Sequence, residues 1–163
     1  MSASPLPELP AIGFLSEVPA EHRAFLTSFG KFLRPSNGDV LIEQGTHQDT
    51  LNLILEGTLH VVSTTDDRPV LLATLGSGES FGEINLFDPS SASATVISRS
   101  ESLVWSLTRD ELDALTDADP VAALFATKGI LRQLSKRIRV MNEKLAASER
   151  KSDFHHFWTS GTP

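Results

Sequence analysis

Residues 75–86 read Leu75-Gly76-Ser77-Gly78-Glu79-Ser80-Phe81-Gly82-Glu83-Ile84-Asn85-Leu86, and this stretch decides the fold of the 163-residue chain. Two glycines make a turn, and Phe81-Gly82-Glu83 then leads into an apolar helical turn. Glycine lets a backbone approach a ligand closely, and the first amides of a helix have no partner within that helix. The stretch therefore predicts an anion-binding loop that continues into a short helix.

Short apolar runs separated by glycine turns surround this stretch. A turn-like Asp66-Asp67-Arg68-Pro69 separates two of the runs, and the run at 94–97 is placed to close a pocket. Strands spaced about 8–12 residues apart are typical of a sandwich or barrel, so we expect a mainly β fold. The predicted strands are residues 40–42, 51–55, 59–63, 70–75, 94–97 and 103–107.

Helices are predicted on both sides of the strands. Pro19 stands at an early position of the first helix, where a missing backbone N–H does no harm. Thr108 and Glu111 form a capping-box pattern, which predicts the start of a second helix. Asp119-Pro120 opens the longest helical pattern in the chain.

The order of these features resembles the cyclic nucleotide-binding domain family over about residues 30–150. The resemblance is carried by Gly38, Gln44-Gly45, Glu56-Gly57, Gly78 and Phe81-Gly82-Glu83. It implies a β-roll (a double-stranded jelly roll) with flanking helices and a long C-terminal dimerisation helix. The implied organisation is an N-terminal helical segment at 1–30, the β-roll with a short helix at 31–118, the dimerisation helix at 119–151 and an aromatic tail at 152–163.

The family also implies roles for residues 81–94, which we call the cassette. In the family, the glutamate accepts a hydrogen bond from the ribose 2′-hydroxyl, an arginine pairs with the cyclic phosphate, and helix-turn amides hold its other oxygens. Glu83 matches the first role, and the amides of Gly82, Ile84 and Asn85 match the third. Counting from Glu83, the arginine is expected at 92 or, with a loop one residue longer, at 93, where this chain has Ala92 and Ser93.

Loss of that arginine predicts a weakened ligand site. An arginine–phosphate pair is charge-assisted and contributes on the order of 1.5–3 kcal/mol. Its absence predicts roughly tenfold to several-hundredfold weaker binding of a cyclic nucleotide. Asp88, in the same loop, adds a negative charge that repels phosphate.

The last predicted helix carries a seven-residue repeat. Apolar residues at a coiled-coil spacing predict a homodimer seam, although such a helix can also pack on its own domain. The seam consists of Leu124, Leu131, Leu134, Ile138, Met141 and Leu145. Residues 132–145 also resemble the dimerisation helix of the catabolite activators within the family, where two residues cap the adenine. Met141 and Asn142 match those positions, and Asn142 can hydrogen-bond a base edge.

Charge is divided unevenly along the chain. Residues 1–119 hold 6 Lys and Arg against 18 Asp and Glu, whereas residues 124–151 hold 8 against 2. The basic segment is interpreted as a solvated helix face, and nucleic-acid binding by this helix is the open alternative. The latter would show a steep dependence on salt.

The sequence lacks the motifs that are typical of several functional classes. The chain has no cysteine, no catalytic nucleophile motif, no P-loop and no dinucleotide-binding glycine motif. We therefore expect no enzyme, no catalytic residues, no metal site and no required cofactor. With no signal peptide or apolar run of membrane-spanning length, we expect a cytoplasmic protein that does not contact the membrane. The resemblance to the catabolite activators implies a bacterial one.

These observations predict a non-catalytic, stand-alone regulatory module that is degenerate for ordinary cyclic mononucleotides. It would act through dimerisation and contact with a protein effector. The alternative is a sensor of cyclic AMP, cyclic GMP or another nucleotide second messenger with a non-standard phosphate site. DNA binding is not expected, because residues 152–163 are too few for a helix-turn-helix. The aromatic residues Phe154, Phe157 and Trp158 are expected to dock on the roll, engage a partner or remain disordered.

Overall fold

The computed structural model describes residues 8–65 and 68–159, with side chains for 8–64 and 68–149. Four α-helices follow a short 3-10 turn at Gly13–Leu15: α1 Ala20–Leu26, α2 Glu83–Phe87, α3 Arg109–Ala118 and α4 Pro120–Thr159. The strands are β1 Lys31–Leu33, β2 Val40–Ile42, β3 His47–Gln48, β4 Thr50–Glu56, β5 Leu59–Thr65, β6 Arg68–Leu75, β7 Ser80–Phe81, β8 Ser90–Ser91, β9 Thr95–Ser98 and β10 Leu103–Thr108.

The strands form antiparallel sheets, which confirms the predicted mainly β fold with flanking helices. One sheet has the order β1-β10-β4-β7 and a second has the order β2-β9-β5-β6, while β3 pairs with β8. All six predicted strands are present. The turn predicted at Asp66–Pro69 is too long, because β6 already begins at Arg68; residues 66 and 67 lie outside the described part of the chain.

The core lies between the two larger sheets. Residues 51–54 of β4 are 4 % exposed or less, so this strand is buried on both faces. Trp105 of β10 is fully buried, and its indole Nε1 donates to the carbonyl oxygen of Phe29 at 3.1 Å. The sequence of β4 is correspondingly apolar at nearly every buried position, with Asn52 as the exception. Apolar and polar residues do not alternate along it.

Strand β6 forms an edge of the second sheet and carries an exposed apolar run. Val70, Leu71 and Leu72 are 51 %, 54 % and 57 % exposed. Val61 lies opposite Ala73, and Val62 lies opposite Leu71, so Leu72 is an extra residue at a bulge. Pro69 is tolerated because an edge strand leaves some backbone groups unpaired in any case.

The helices begin where local chemistry predicts. Thr108 accepts a hydrogen bond from the backbone N–H of Glu111, and the Glu111 carboxylate accepts one from the backbone N–H of Thr108. This reciprocal pair confirms the capping box at the start of α3. In α4, the glycine at 129 allows close packing, since a Cβ there would lie 2.1 Å from the carbonyl oxygen of Phe14.

The chain divides into two compact units, the first ending at Ile130 and the second beginning at Leu131. The first unit contains the sheets, α1 to α3 and the first eleven residues of α4. In the second unit, the side chains of residues 131–149 are mostly exposed. No helix in the described part of the chain combines the length and the apolar character needed to cross a membrane.

Candidate ligand-binding site

The glycine turn that precedes the cassette is fastened to strand β4. The backbone N–H of Gly78 donates to Ile54 at 2.8 Å, and the N–H of Ile54 donates to Glu79 at 3.0 Å. Within the turn, the N–H of Gly76 donates to the carboxylate of Glu79 at 2.9 Å. These bonds fix the entry into β7, which pairs with β4 through Asn52 and Phe81.

Gly82 occupies the N-cap position of α2 in the left-handed region, with φ of 83°. A Cβ at this position would lie 2.2 Å from the carbonyl oxygen of Thr50 and 3.2 Å from the side-chain nitrogen of Asn52. Glycine is therefore required here for two reasons, the positive φ and the close approach of β4. The turn places the start of α2 against strand β4.

Helix α2 separates the predicted site residues into buried and exposed groups. Glu83 is 4 % exposed, whereas Ile84 is 62 % exposed, so only the former turns into the protein. The side-chain amide of Asn85 donates to the carbonyl oxygen of Ser90 at 2.7 Å. This bond connects the helix to the following loop. Among the predicted site residues of α2, Glu83 is therefore the one whose side chain is directed into the fold.

The arginine position of the family is occupied by a buried alanine. Ala92 is 6 % exposed and belongs to an apolar cluster that includes Phe81, Ile42 and Val96. Its backbone N–H donates to Thr46 at 2.8 Å, and its carbonyl oxygen accepts from Gly45 at 2.8 Å. By contrast, Ser93 is exposed, and Ala94 is 8 % exposed just before β9. The cassette and the closing strand thus meet at an apolar surface.

The residues predicted on the long helix are divided between the two units. Leu124 lies in the first unit and is 53 % exposed. In the second unit, Leu134 is half-buried and Asn142 is exposed. The remaining seam residues have exposures of 58 % to 66 %: Leu131, Ile138, Met141 and Leu145. Phe154, Phe157 and Trp158 lie outside the described side chains, so the tail hypothesis stays a prediction.

Arg109 contacts the cassette and was not singled out by the sequence. It is the first residue of α3, and its guanidinium Nη2 donates to the carbonyl oxygen of Leu86 in α2. One sequence feature could have identified Arg109. It is a cation in the first turn of a helix, where acidic residues such as Asp110 and Glu111 are preferred.

An ion pair joins α1 to the start of α4. His22 Nδ1 and Asp119 Oδ2 lie 2.5 Å apart, and Asp119 Oδ1 accepts from the backbone N–H of Ala122 at 3.0 Å. The Ala122 amide first, and then the His22 side chain, hold the pKa of the Asp119 carboxyl below its ordinary value. This carboxylate both caps α4 and fixes α1.

The described residues include no cluster that is suited to a metal ion. No group of three or more His, Asp or Glu side chains among them could hold a metal ion. The cassette combines a buried carboxylate with the backbone of a glycine turn and an apolar wall at Ala92. A carboxylate of this kind accepts hydrogen bonds from hydroxyl groups.

Comparison with known proteins relates both the sequence and the fold to one family. The sequence model described as "Cyclic nucleotide-binding domain" matches residues 34–119, more than half of the chain. A CRP-like cAMP-activated global transcriptional regulator of Mycobacterium tuberculosis is 28% identical over 110 residues, covering 67% of this chain and 47% of the regulator. The chain therefore spans about half the length of the curated relatives it matches.

Solved structures share the fold. A cyclic nucleotide-binding domain from Methylobacillus flagellatus superposes with a TM-score of 0.76 at 22% identity, covering 84% of this chain and 78% of that one. A regulatory subunit of a cAMP-independent protein kinase A from Trypanosoma brucei has a TM-score of 0.65 at 22% identity. That match covers 83% of this chain and 48% of the subunit.

Proposed function

Because the chain belongs to the cyclic nucleotide-binding domain family, we propose that it is a non-catalytic regulatory module whose cassette has lost ordinary cyclic mononucleotide binding. In this proposal the module acts in the cytoplasm through dimerisation and contact with a protein effector. It requires no cofactor. Family membership supports a regulatory domain, and the following observations support the finer statement.

The observation that carries the proposal is the buried Ala92. The residue is 6 % exposed and packs in an apolar cluster, at the position where the family resemblance places a phosphate-binding arginine. An apolar wall next to a phosphate would leave the anion without a compensating charge, and a desolvated phosphate is disfavoured. Ser93, the alternative position, contributes a hydroxyl group but no charge.

One structural neighbour supports the emphasis on arginine. The Trypanosoma brucei subunit is described as cAMP-independent, and its structure is that of a triple mutant bound to cAMP in the A site. One of the three substitutions in that mutant replaces a threonine by an arginine. This description motivates the same kind of replacement at the cassette of the present chain.

The seam of α4 supports the dimer. Its apolar residues are more than half exposed at Leu131, Ile138 and Leu145, and covering them is favourable by about 25 cal/mol per Å² of apolar area. A parallel pairing would bring Lys144 of one copy near Glu149 of the other, since these residues flank the seam on opposite sides. An antiparallel pairing would instead bring Lys144 near Arg137, which are like charges. We therefore propose a parallel homodimer.

Titration calorimetry with cyclic AMP, cyclic GMP and cyclic dinucleotides tests the proposed loss of binding. We expect at most weak binding of cyclic mononucleotides by the unmodified chain. Ala92→Arg or Ser93→Arg should increase the affinity for cyclic AMP by roughly tenfold or more, because either restores a charge-assisted pair. Two variants are needed, since an arginine at the buried position 92 must reach the ligand without disrupting the cluster.

Two further variants distinguish charge from packing. Ala92→Met adds a side chain of comparable length without charge and should leave the affinity unchanged. In the better arginine variant, Glu83→Ala should remove most of the gain, because the buried carboxylate is the expected acceptor for a ligand hydroxyl. Micromolar binding of cyclic AMP by the unmodified chain contradicts the proposal and supports the alternative, a sensor with a non-standard phosphate site.

A further inference from the structure

Helix α2 depends on its surroundings because it has only five residues. A helix of this length cannot be stable by itself in water. Its beginning is fixed where Gly82 lies against Thr50, as the close approach of that carbonyl oxygen shows. At its two ends, the backbone N–H of Leu86 donates to Gly82 at 3.1 Å and that of Asp88 donates to Ile84 at 2.8 Å.

The other end of α2 is held by Arg109. Its guanidinium donates to the carbonyl oxygen of Leu86, a residue that is 2 % exposed. The backbone N–H of Arg109 donates to Asp49 at 3.0 Å, in the connection between β3 and β4. One residue therefore joins the cassette helix, the sheet connection and the first turn of α3.

Local preferences disfavour an arginine at this position. A cation in the first turn of a helix opposes the helix dipole, and the two following residues, Asp110 and Glu111, have the favoured charge. In addition, Arg109 Nε is buried without a hydrogen-bond partner among the described atoms. A buried donor of this kind is unfavourable. Where a sequence departs from local preference, the reason is expected to be tertiary or functional.

We propose that Arg109 is a positioning residue of the cassette, which fixes the carboxyl end of α2 to α3 and couples movements of the two helices. A ligand that displaces α2 then shifts the start of α3 through the guanidinium. This inference rests on the proposed function only in treating the cassette as the regulated site. The anchoring itself is independent of any ligand.

Amide hydrogen exchange of the full chain tests the anchoring without a ligand. Arg109→Gln removes the charged donor and should accelerate exchange in a peptide covering residues 82–88 by about tenfold or more, the effect of one lost charge-assisted bond. Arg109→Lys keeps the charge but loses the planar guanidinium with its several N–H donors. It should give a smaller increase in the exchange rate, about threefold. The exposed Arg99 supplies a matched control, and Arg99→Gln should leave this peptide unchanged.

The pattern of exchange along the chain separates positioning from general stability. The proposal expects faster exchange in residues 82–88 while residues 50–56 and 103–108 keep their rates. Unchanged exchange in α2, or an equal acceleration of all three peptides, overturns it. If Arg109→Gln does not fold, the lysine variant decides by the same criterion, since its threefold rise must be confined to α2.

Cyclic AMP serves as the probe for coupling, in the Ala92→Arg or Ser93→Arg background. Saturating cyclic AMP should slow exchange in residues 110–118 when Arg109 is present and should have no such effect with Arg109→Gln. Slowing that persists in the glutamine variant overturns the coupling. If neither arginine background binds cyclic AMP, that failure concerns the proposed function, and exchange in residues 82–88 alone decides on Arg109.

Discussion

Two glycines with the same backbone angle have very different surroundings. Gly82 and Gly45 both have φ of 83°, but a Cβ at Gly82 would lie 2.2 Å from Thr50, whereas nothing lies within 4 Å at Gly45. We expect Gly45→Ala to destabilise the fold by about 1–2 kcal/mol, the cost of the left-handed conformation. Gly82→Ala should be worse by roughly a further 1–3 kcal/mol, because β4 must also move. Urea unfolding of the two variants measures the difference.

The comparison isolates the close approach because the backbone angle is shared. Equal losses of stability in the two variants would contradict the packing argument at Gly82. A glycine is therefore required at position 82 for the path of the main chain, independently of any ligand. Binding measurements on Gly82→Ala would not separate these effects, so unfolding is the appropriate readout.

For a single residue, the sequence predicts the chemical role better than the burial or the long-range contacts of its side chain. The pattern Phe81-Gly82-Glu83 was sufficient to predict a turn into a helix, because the reasons are local. The burial of Ala92 depends on residues distant in sequence, such as Ile42, and cannot be read from its own neighbours. Arg109 was overlooked for the same reason, since its partner Leu86 lies 23 residues away.

The exposed seam of α4 leads to a prediction about association. Leu131→Asp combined with Ile138→Asp places charges in the seam, where burial without partners is strongly unfavourable. We expect this double variant to be monomeric and the unmodified chain to be dimeric at tens of micromolar. Light scattering coupled to size-exclusion chromatography measures both masses.

A matched control tests whether charge alone has this effect. Lys136→Asp with Arg139→Asp makes a larger change in net charge but at positions outside the seam, so this variant should remain dimeric. A monomeric unmodified chain would refute the seam, and a monomeric control would attribute dissociation to charge repulsion. The first result would remove the dimer from the proposed function, and the second would remove the evidence that the seam is the dimer interface.

Elements with periodic patterns were predicted well, and short ones were not. The capping box and six strands of three to eight residues follow from composition and spacing, whereas β1, β3, β7 and β8 were not predicted. The strands β3 and β8 have two residues each, too few for any alternation, and their pairing of His47 with Ser91 is a long-range event. The beginning of β6 at Arg68 was obscured by Pro69, which is commonly a turn residue but lies here in an edge strand.

For the whole molecule, the ion pair between α1 and α4 makes stability depend on pH. Because the pKa of Asp119 is lowered in the folded state, its ionised form is favoured by folding. That stabilisation is present above the pKa of the unfolded chain, near 3.8, and disappears as the pH falls through the lower folded value. Thermal unfolding between about pH 6 and pH 3 should therefore show Asp119→Asn less stable at the upper end and converging with the unmodified chain at the lower end.

The exposed carboxyl of Asp117 provides the control for this measurement. Asp117→Asn should keep a nearly constant difference from the unmodified chain across the same pH range. A constant difference for Asp119→Asn as well would show that the carboxylate contributes no pH-dependent stability. His22→Gln should reproduce part of the Asp119 effect, since the Ala122 amide still binds the carboxylate.

The overall architecture was predictable because many local signals agreed with one topology. The order of strands within each sheet was not predictable from spacing alone: β10 lies between β1 and β4, and β9 lies between β2 and β5. Such neighbours come from distant parts of the chain, and pattern and spacing do not specify their pairing. The resemblance to a family supplied the β-roll with flanking helices, and the structure agrees with that architecture.

The exposed edge of β6 has a consequence for handling the protein in concentrated solution. A long apolar edge strand is a template on which other chains can add strands and grow into fibrils. Here Pro69 withholds an N–H, and the extra residue Leu72 increases the local twist, so that a flat ladder cannot extend along Val70 and Leu71. Pro69, which obscured the start of this strand in the sequence, and the bulge at Leu72 therefore both oppose amyloid-like association of native chains.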